Sequence, residues 1–260
     1  MKFNLLIFFI LISLILNVNA DTFTDNFDRP NSSDPGNGWA GHIGTTGISY
    51  GINSNQLYIY NGSGDGDNFA YYDLNQAFGI SQPLENATVS GKMYFDMTNG
   101  STSFYMALNA TKEDIETDRD GGVWYTDGKG YGIQISGSNH YYIMDEGSFT
   151  GDSDTVLDDG TTSLSSFTNY EFELIYAGDD LEVRFWEVGS SRPTLATISY
   201  SPSSAPQASG TNITFGITDE GYLRIDDLMV TTGVVPEPST LLLMVLSFLG
   251  LPGFTRKFAK

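Results

Sequence analysis

The sequence predicts an all-β domain, an antiparallel sandwich of two sheets, and three observations lead to this fold class. Apolar and polar residues alternate with a period of two over thirteen short segments between Asp21 and Gly233, as in strands with one buried face. Asp-Gly and Gly-Asp pairs, which favour tight turns, separate many of these segments. Sustained helical periodicity occurs only near the two chain ends. We therefore expect one jelly roll without an internal domain boundary.

The predicted strands follow one another in chain order. They are TFTDNF, ISYGI, QLYIYN, FAYYDL, TVSGKMYFDM, TSFYMALN, YGIQIS, HYYIMD, YEFELIYA, LEVRFWEV, TLATISY, NITFGIT and YLRIDDLMV. Three Asp-rich stretches, NGSGDGDN, TDRDGG and GDSDTVLDDG, are predicted to be hairpin turns, with oxygen-ligand loops for a cation as the alternative. Residues 21–233 form the predicted domain.

The charge of the chain restricts its partners. The formal net charge is -20, with 32 Asp and Glu against 12 Lys and Arg, and there is no Cys. Such an acidic surface repels nucleic acid and anionic membranes. It suits divalent cations and neutral sugars.

The N-terminus reads as an export signal. Lys2 precedes an apolar run from Phe3 to Leu16, and small residues follow up to Ala20. This is the layout of a secretory signal peptide over residues 1–20. The alternative is a membrane anchor, for which the run is short.

The C-terminus has three parts: a Pro-Glu-Pro motif, an apolar helix over residues 241–254 and a basic end over 255–260. Residues 234–260 thereby resemble the PEP-CTERM sorting signal of exopolysaccharide-producing Gram-negative bacteria. The motif residues are Val235, Pro236, Glu237, Pro238, Ser239 and Thr240. The resemblance implies processing by exosortase, a membrane enzyme, and a place in the cell envelope or extracellular matrix. The alternative is a buried helix of the domain.

The body carries a second resemblance. DTFTDNFDRPNSSDPGNGW, from Asp21 to Trp39, and the closing GYLRIDDLMV resemble the ends of concanavalin A-like lectin/glucanase sandwich domains. In such domains the first and last strands pair. Related carbohydrate-binding modules often hold calcium there, so the resemblance implies a structural Ca²⁺ ion. The candidate ligands are Asp25, Asp28, Asp226 and Asp227.

A platform of aromatic rings is the predicted sugar site, because sugars stack their apolar faces on Trp and Tyr. In each adjacent pair on a strand, one ring must face outward. The leading candidates are Trp124, Tyr125, Tyr141 and Tyr142, and lesser ones are Tyr58, Tyr60, Tyr71 and Tyr72. Trp39 and Trp186 are predicted to lie in the core.

Catalysis is not the preferred interpretation. Glucanases of this fold carry Glu-x-Asp-x-x-Glu, but Glu116-Thr117-Asp118 is followed by Gly121 where Glu is needed. Glu171 and Glu173 share a strand face and are expected to face water. We therefore expect a non-catalytic, exported surface protein with a carbohydrate-binding face for exopolysaccharide. The alternatives are a glycoside hydrolase or lyase of the same fold, and a purely structural surface protein.

Overall fold

Fifteen strands and one short helix make up the part of the chain that the computed structural model describes. That part comprises residues 20–43, 49–62, 67–97, 102–112, 130–145, 155–206 and 208–233. In chain order the elements are β1 (Thr22–Asp25), β2 (Trp39–Ile43), β3 (Ser49–Ile52), β4 (Leu57–Asn61), β5 (Asp67–Asp73), α1 (Leu74–Phe78), β6 (Asn86–Asp96), β7 (Ser103–Ala110), β8 (Tyr131–Ser136), β9 (His140–Asp145), β10 (Thr155–Thr161), β11 (Asn169–Ala177), β12 (Asp180–Glu187), β13 (Ile198–Tyr200), β14 (Asn212–Thr218) and β15 (Gly221–Thr232).

The strands form two antiparallel sheets, so the predicted fold class is confirmed. Sheet A has the order β13-β12-β11-β6-β15-β4-β3, with β1 also paired to β15. Sheet B has the order β10-β9-β8-β7-β14-β5-β2. Strands from opposite ends of the chain are neighbours in both sheets, which explains why the region from Asp21 to Thr232 is one compact unit.

One hydrophobic core lies between the sheets. In β11, Phe172 and Leu174 are fully buried, as the alternation in YEFELIYA predicts. The Phe172 ring meets Phe215 of sheet B edge to face, with ring centroids 6.3 Å apart. Phe95 and Phe104 form a second contact between the sheets at 5.0 Å. Burial of these rings is the main stabilising contribution to the sandwich.

A bulge in β15 lets the last strand pair first with β4 and then with β1, while β6 remains its other neighbour. The strand pairs with β4 up to Ile225 and with β1 from Leu228 onward, and its register with β6 shifts between Asp226 and Met229. Asp227 has φ 47, the left-handed conformation that a bulge often needs. The extra residue keeps both Ile225 and Leu228 in the core.

A glycine makes room for this bulge. Gly91 of β6 lies beneath it, and a Cβ there would stand 3.0 Å from the Asp226 carbonyl oxygen and 3.2 Å from the Phe172 ring. A larger residue would therefore push the two strands apart.

Two strands escape the sequence prediction, and both are edge strands of sheet B. β2 contains Ala40 and Gly41, which have weak strand propensity. The TVLDDG part of GDSDTVLDDG is predicted as a turn, but it belongs to β10, which pairs with β9 from Thr155 to Thr161. Acidic side chains suit an exposed edge because they oppose pairing with further strands.

The predicted signal peptide, except Ala20, and the predicted sorting signal lie outside the described residues. Within the described part, no helix has the length and apolar character required to cross a membrane.

Asp25 ties β1 to the loop that follows it. Both its carboxylate oxygens accept hydrogen bonds from Arg29, at 2.7 and 2.9 Å. The Trp39 indole N–H donates to Oδ2 at 3.0 Å, and the Phe27 amide donates to Oδ1 at 2.9 Å. Asp25 is buried, so these four donors compensate for the loss of its hydration.

We expect Asp25→Asn to lower the free energy of unfolding by about 2–4 kcal/mol, because the substitution leaves Arg29 without its carboxylate. Urea denaturation followed by circular dichroism measures the change. Asp28→Asn is the matched control, since Asp28 is exposed in the same turn and its loss is expected to cost about 0.5 kcal/mol or less. Equal effects of the two substitutions would contradict the role of Asp25.

The same carboxylate predicts a pH dependence. Burial disfavours the ionised form of Asp25, but hydrogen bonds from Arg29 and Phe27, the charge of Arg29 and the Trp39 N–H outweigh burial and lower its pKa. Its contribution is therefore present above the ordinary Asp pKa of about 3.9 and is lost as pH falls through the folded-state value. Denaturation curves from pH 7 to 3 should show the stability gap between the native chain and Asp25→Asn narrowing below about pH 4. A stability difference that stays constant with pH would contradict the lowered pKa of Asp25.

Candidate functional site

The structure separates the four leading aromatic candidates. Trp124 and Tyr125 lie outside the described residues. Tyr141 of β9 packs against the core. Tyr142 lies on the opposite side of sheet B beside His140, with ring centroids 4.8 Å apart. His140 Nε2 in turn lies 2.9 Å from an Asp159 carboxylate oxygen. One ring of the Tyr141–Tyr142 pair therefore faces outward, as the alternation requires.

The outer face of sheet B is closed at its centre. Its central residues are at most 5% exposed although they point away from the main core: Phe69, Tyr71, Tyr105, Gln134 and Thr214. Phe69, Tyr71 and Tyr105 belong to a separate hydrophobic cluster. A polymer could reach only the margin of this face in the described structure, where Tyr142 lies.

The outer face of sheet A is open, and Trp186 lies on it. The prediction that Trp186 belongs to the core is wrong: Val183 and Phe185 of β12 are buried against sheet B, whereas Trp186 is partly exposed on the other side. Trp186 pairs across the strands with Glu171, and its indole N–H donates to the Glu171 carboxylate. The hydrogen bond orients the indole ring on the surface of the sheet.

A cleft of about 610 Å³ opens beside Trp186. Its floor comes from β6, β11 and β15, and its wall comes from the end of β1. The polar side chains that line it are Thr24, Asp25, Asn26, Asn37, Ser90, Lys92, Glu171 and Asp227. Lys92 and Asp227 form an ion pair at 2.5 Å. A large aromatic ring surrounded by amide, hydroxyl and charged groups is the composition of a site for a polar, ring-shaped ligand.

A row of aromatic rings continues the same face. Tyr60 and Tyr58 of β4 stack with centroids 6.0 Å apart, and Tyr222 of β15 is 6.0 Å from Tyr58. Tyr94 of β6 is 5.9 Å from Tyr222, and the exposed Phe167 is 6.5 Å from Tyr94. Lys92 of the cleft and Tyr94 of this row are two residues apart on β6, so they share a face. The cleft and the row form one surface.

The four aspartates predicted to bind calcium are used in other ways. Asp25 already accepts four hydrogen bonds. Asp28 accepts from Asn26, and Asp227 pairs with Lys92. Strand alternation predicts that Asp226 and Asp227 face opposite sides of the sheet, but the bulge places both on the outer side. The Asp226 side chain accepts from the Asp227 amide at 2.8 Å. In the described ranges, no group of three or more His, Asp or Glu residues is arranged to hold a metal ion.

Glu171 and Glu173 of β11 are both hydrogen-bonded to neighbouring side chains. Glu171 accepts from Trp186, and Glu173 accepts from Arg184 at 3.2 Å and from Arg192. Both carboxylates thus serve to hold neighbouring side chains on the outer face of sheet A. Glu116 and Asp118 lie outside the described residues.

Comparison with solved structures finds lectins and related sandwiches. Lectin I-B4 from Griffonia simplicifolia, in a metal-free form, has a TM-score of 0.51 and 12% identity over 82% of this chain and 99% of its own. The Ca²⁺-bound exoplasmic/lumenal domain of VIP36 has a TM-score of 0.51 and 11% identity over 84% and 92%. A sialidase matches with a TM-score of 0.51 and 8% identity, and this chain spans 18% of the sialidase's length.

The chain has a lectin-like sandwich fold. At these identities the likeness concerns the fold alone. No protein-family model matches the sequence, and no curated protein matches it. The fold alone does not identify a functional face, which depends on the residues that each sheet presents.

The two described tryptophans provide a test of which side of its sheet each occupies. Trp39→Phe removes a hydrogen bond to the buried Asp25 and opens space beside Phe27, so we expect a loss of about 2–3 kcal/mol in the free energy of unfolding. Trp186→Phe acts at a partly exposed site and should cost about 1 kcal/mol or less. Urea denaturation followed by far-ultraviolet circular dichroism measures both. A larger cost at Trp186 would place its ring in the core.

Proposed function

We propose that this chain is an exported carbohydrate-binding protein that holds a polysaccharide on the outer face of sheet A without cleaving it. The observation that carries the proposal is the cleft beside Trp186, continued by the tyrosine row. An indole fixed by a carboxylate and flanked by amide and hydroxyl groups offers a stacking surface and hydrogen-bond partners together.

The shape of the face favours a polymer over a single sugar. The cleft crosses β15, β6, β11 and β12, and the tyrosine row crosses β4, β15 and β6. Neighbouring strands are about 4.8 Å apart, so the face extends over several sugar rings. The lectin-like fold agrees with this proposal, since a rigid sandwich holds surface rings in place without help from loops.

The proposed location of the protein rests on its two chain ends. The signal-peptide pattern of residues 1–20 and the resemblance of residues 234–260 to PEP-CTERM signals support export, handling by an exosortase-type enzyme and a place at the envelope or in the matrix. An exopolysaccharide is the polymer that such a location supplies.

The experiment measures retention of the purified full-length chain on a panel of bacterial exopolysaccharides, together with new reducing ends. We expect retention without new reducing ends. Trp186→Ala should weaken binding about 10- to 100-fold, because roughly 100 Å² of stacking surface is lost. Runs with calcium and with a chelator report any metal requirement.

Tyr142→Ala is the matched control, since it removes an outward ring from sheet B. Retention that depends on Tyr142 and not on Trp186 would move the site to the other sheet. New reducing ends would show hydrolysis or elimination and contradict the non-catalytic part of the proposal. Absence of retention on every polymer would leave a structural surface role.

A further inference from the structure

We propose that the tyrosine row binds a sugar carboxylate, through Arg224, so that the polymer held on sheet A is rich in uronic acids. The inference rests on the proposed function and adds the chemical class of the ligand. The surroundings of Arg224 differ from those of the other basic side chains on the outer face of sheet A.

Arg224 stands at the centre of the tyrosine row. On β15 it pairs with Tyr58 of β4 on one side and with Tyr94 of β6 on the other, and Tyr222 lies two residues away on its own face. Its guanidinium carbon lies 5.4, 5.9 and 5.3 Å from the ring centroids of Tyr58, Tyr94 and Tyr222. Cation–π attraction from three sides holds the group in place.

The guanidinium has a donor without a partner. Within the described residues, its buried Nε atom has no hydrogen-bond partner, and no carboxylate lies within ion-pair distance of Arg224. Lys92, Arg184 and Arg192 on the same face each have a carboxylate partner. A partly desolvated guanidinium without an anion has lost hydration that a ligand anion can replace.

The neighbouring phenols leave this charge uncancelled. Burial, then the hydrogen bond with Tyr94, raises the pKa of Tyr222 to about 12. Burial also raises the pKa of Tyr58, against the lowering effect of Arg224. Both hydroxyls therefore stay neutral at physiological pH, so neither cancels the charge of Arg224. The site combines flat rings, neutral hydroxyls and one planar cation.

Positive charge is scarce in this chain, and its placement is informative. Of the 12 Lys and Arg, four lie in the terminal segments, which leaves eight in the body. Four of those eight gather on the outer face of sheet A: Lys92, Arg184, Arg192 and Arg224. A chain of net charge -20 repels polyanions in general, so an anionic polymer can bind only where cations and rings coincide. The carboxylate matches the two-donor edge of guanidinium, and the sugar ring matches the tyrosines.

The test titrates the full-length chain, in the presence of a chelator, with polygalacturonate, alginate and hyaluronate. Each polymer is compared with its own carboxyl-reduced form by calorimetry. We expect at least one uronate polymer to bind about 10- to 100-fold more tightly than its reduced form, the difference that a charge-assisted hydrogen-bonded pair makes. Arg224→Gln should reduce this preference to about threefold or less. Arg224→Lys should keep part of it, because Lys retains the charge but not the planar pair of donors.

Lys112→Gln is the control for charge, since it removes one exposed cation beyond the end of β7 in sheet B and should leave the preference unchanged. The comparison of each polymer with its reduced form uses the native chain, so it stands even if Arg224→Gln fails to fold.

Equal binding of both forms, with loss on Trp186→Ala, would overturn this inference and leave the proposed function intact. Binding of no polymer, neutral or acidic, would overturn both. Tighter binding of dextran sulfate than of any uronate polymer would show that the tyrosine row prefers a sulfate ester to a carboxylate, which would overturn this inference.

Discussion

The bulge in β15 is the constraint on which the rest of the structure depends. A regular strand of this sequence would place Ile225 in the core and turn Leu228 to solvent, because their spacing is odd. The extra residue at Asp227 restores Leu228 to the core and lets the strand change partner from β4 to β1. The domain is thereby closed by its two ends. The same bulge also places Asp226 and Asp227 on the outer face, where Asp227 pairs with Lys92 at the margin of the cleft.

The pairing of β1 with β15 therefore both closes the domain and forms the cleft. β1 reaches β15 only beyond the bulge, and the end of β1 is a wall of the cleft. Asp25 occupies that junction, with its carboxylate turned toward Arg29 and Trp39. The Arg29 guanidinium compensates the buried carboxylate at this junction.

The sequence predicted the strands best where they lie inside a sheet, between two neighbouring strands. β8, β9 and β14 were predicted to the residue. β2 and β10 were missed because edge strands are held by one neighbour and need little intrinsic propensity. The position of Trp186 was available from LEVRFWEV, since Leu181, Val183 and Phe185 occupy the inward places. A general preference for burying Trp outweighed that local alternation.

The setting of Arg224 could not be predicted in the same way. Tyr58, Tyr94 and Tyr222 meet around it only because β4 and β6, far apart in sequence, flank β15. Alternation gives the face of each tyrosine but not its neighbour across the strand, which depends on strand order and register. A cation among tyrosines is therefore a property of topology. An arginine held by rings on a rigid sheet, with no ion-pair partner among the described carboxylates, is already ordered for an anion, so binding would cost little further side-chain entropy. That preorganisation supports the proposal that the tyrosine row, within an otherwise acidic molecule, holds an acidic sugar.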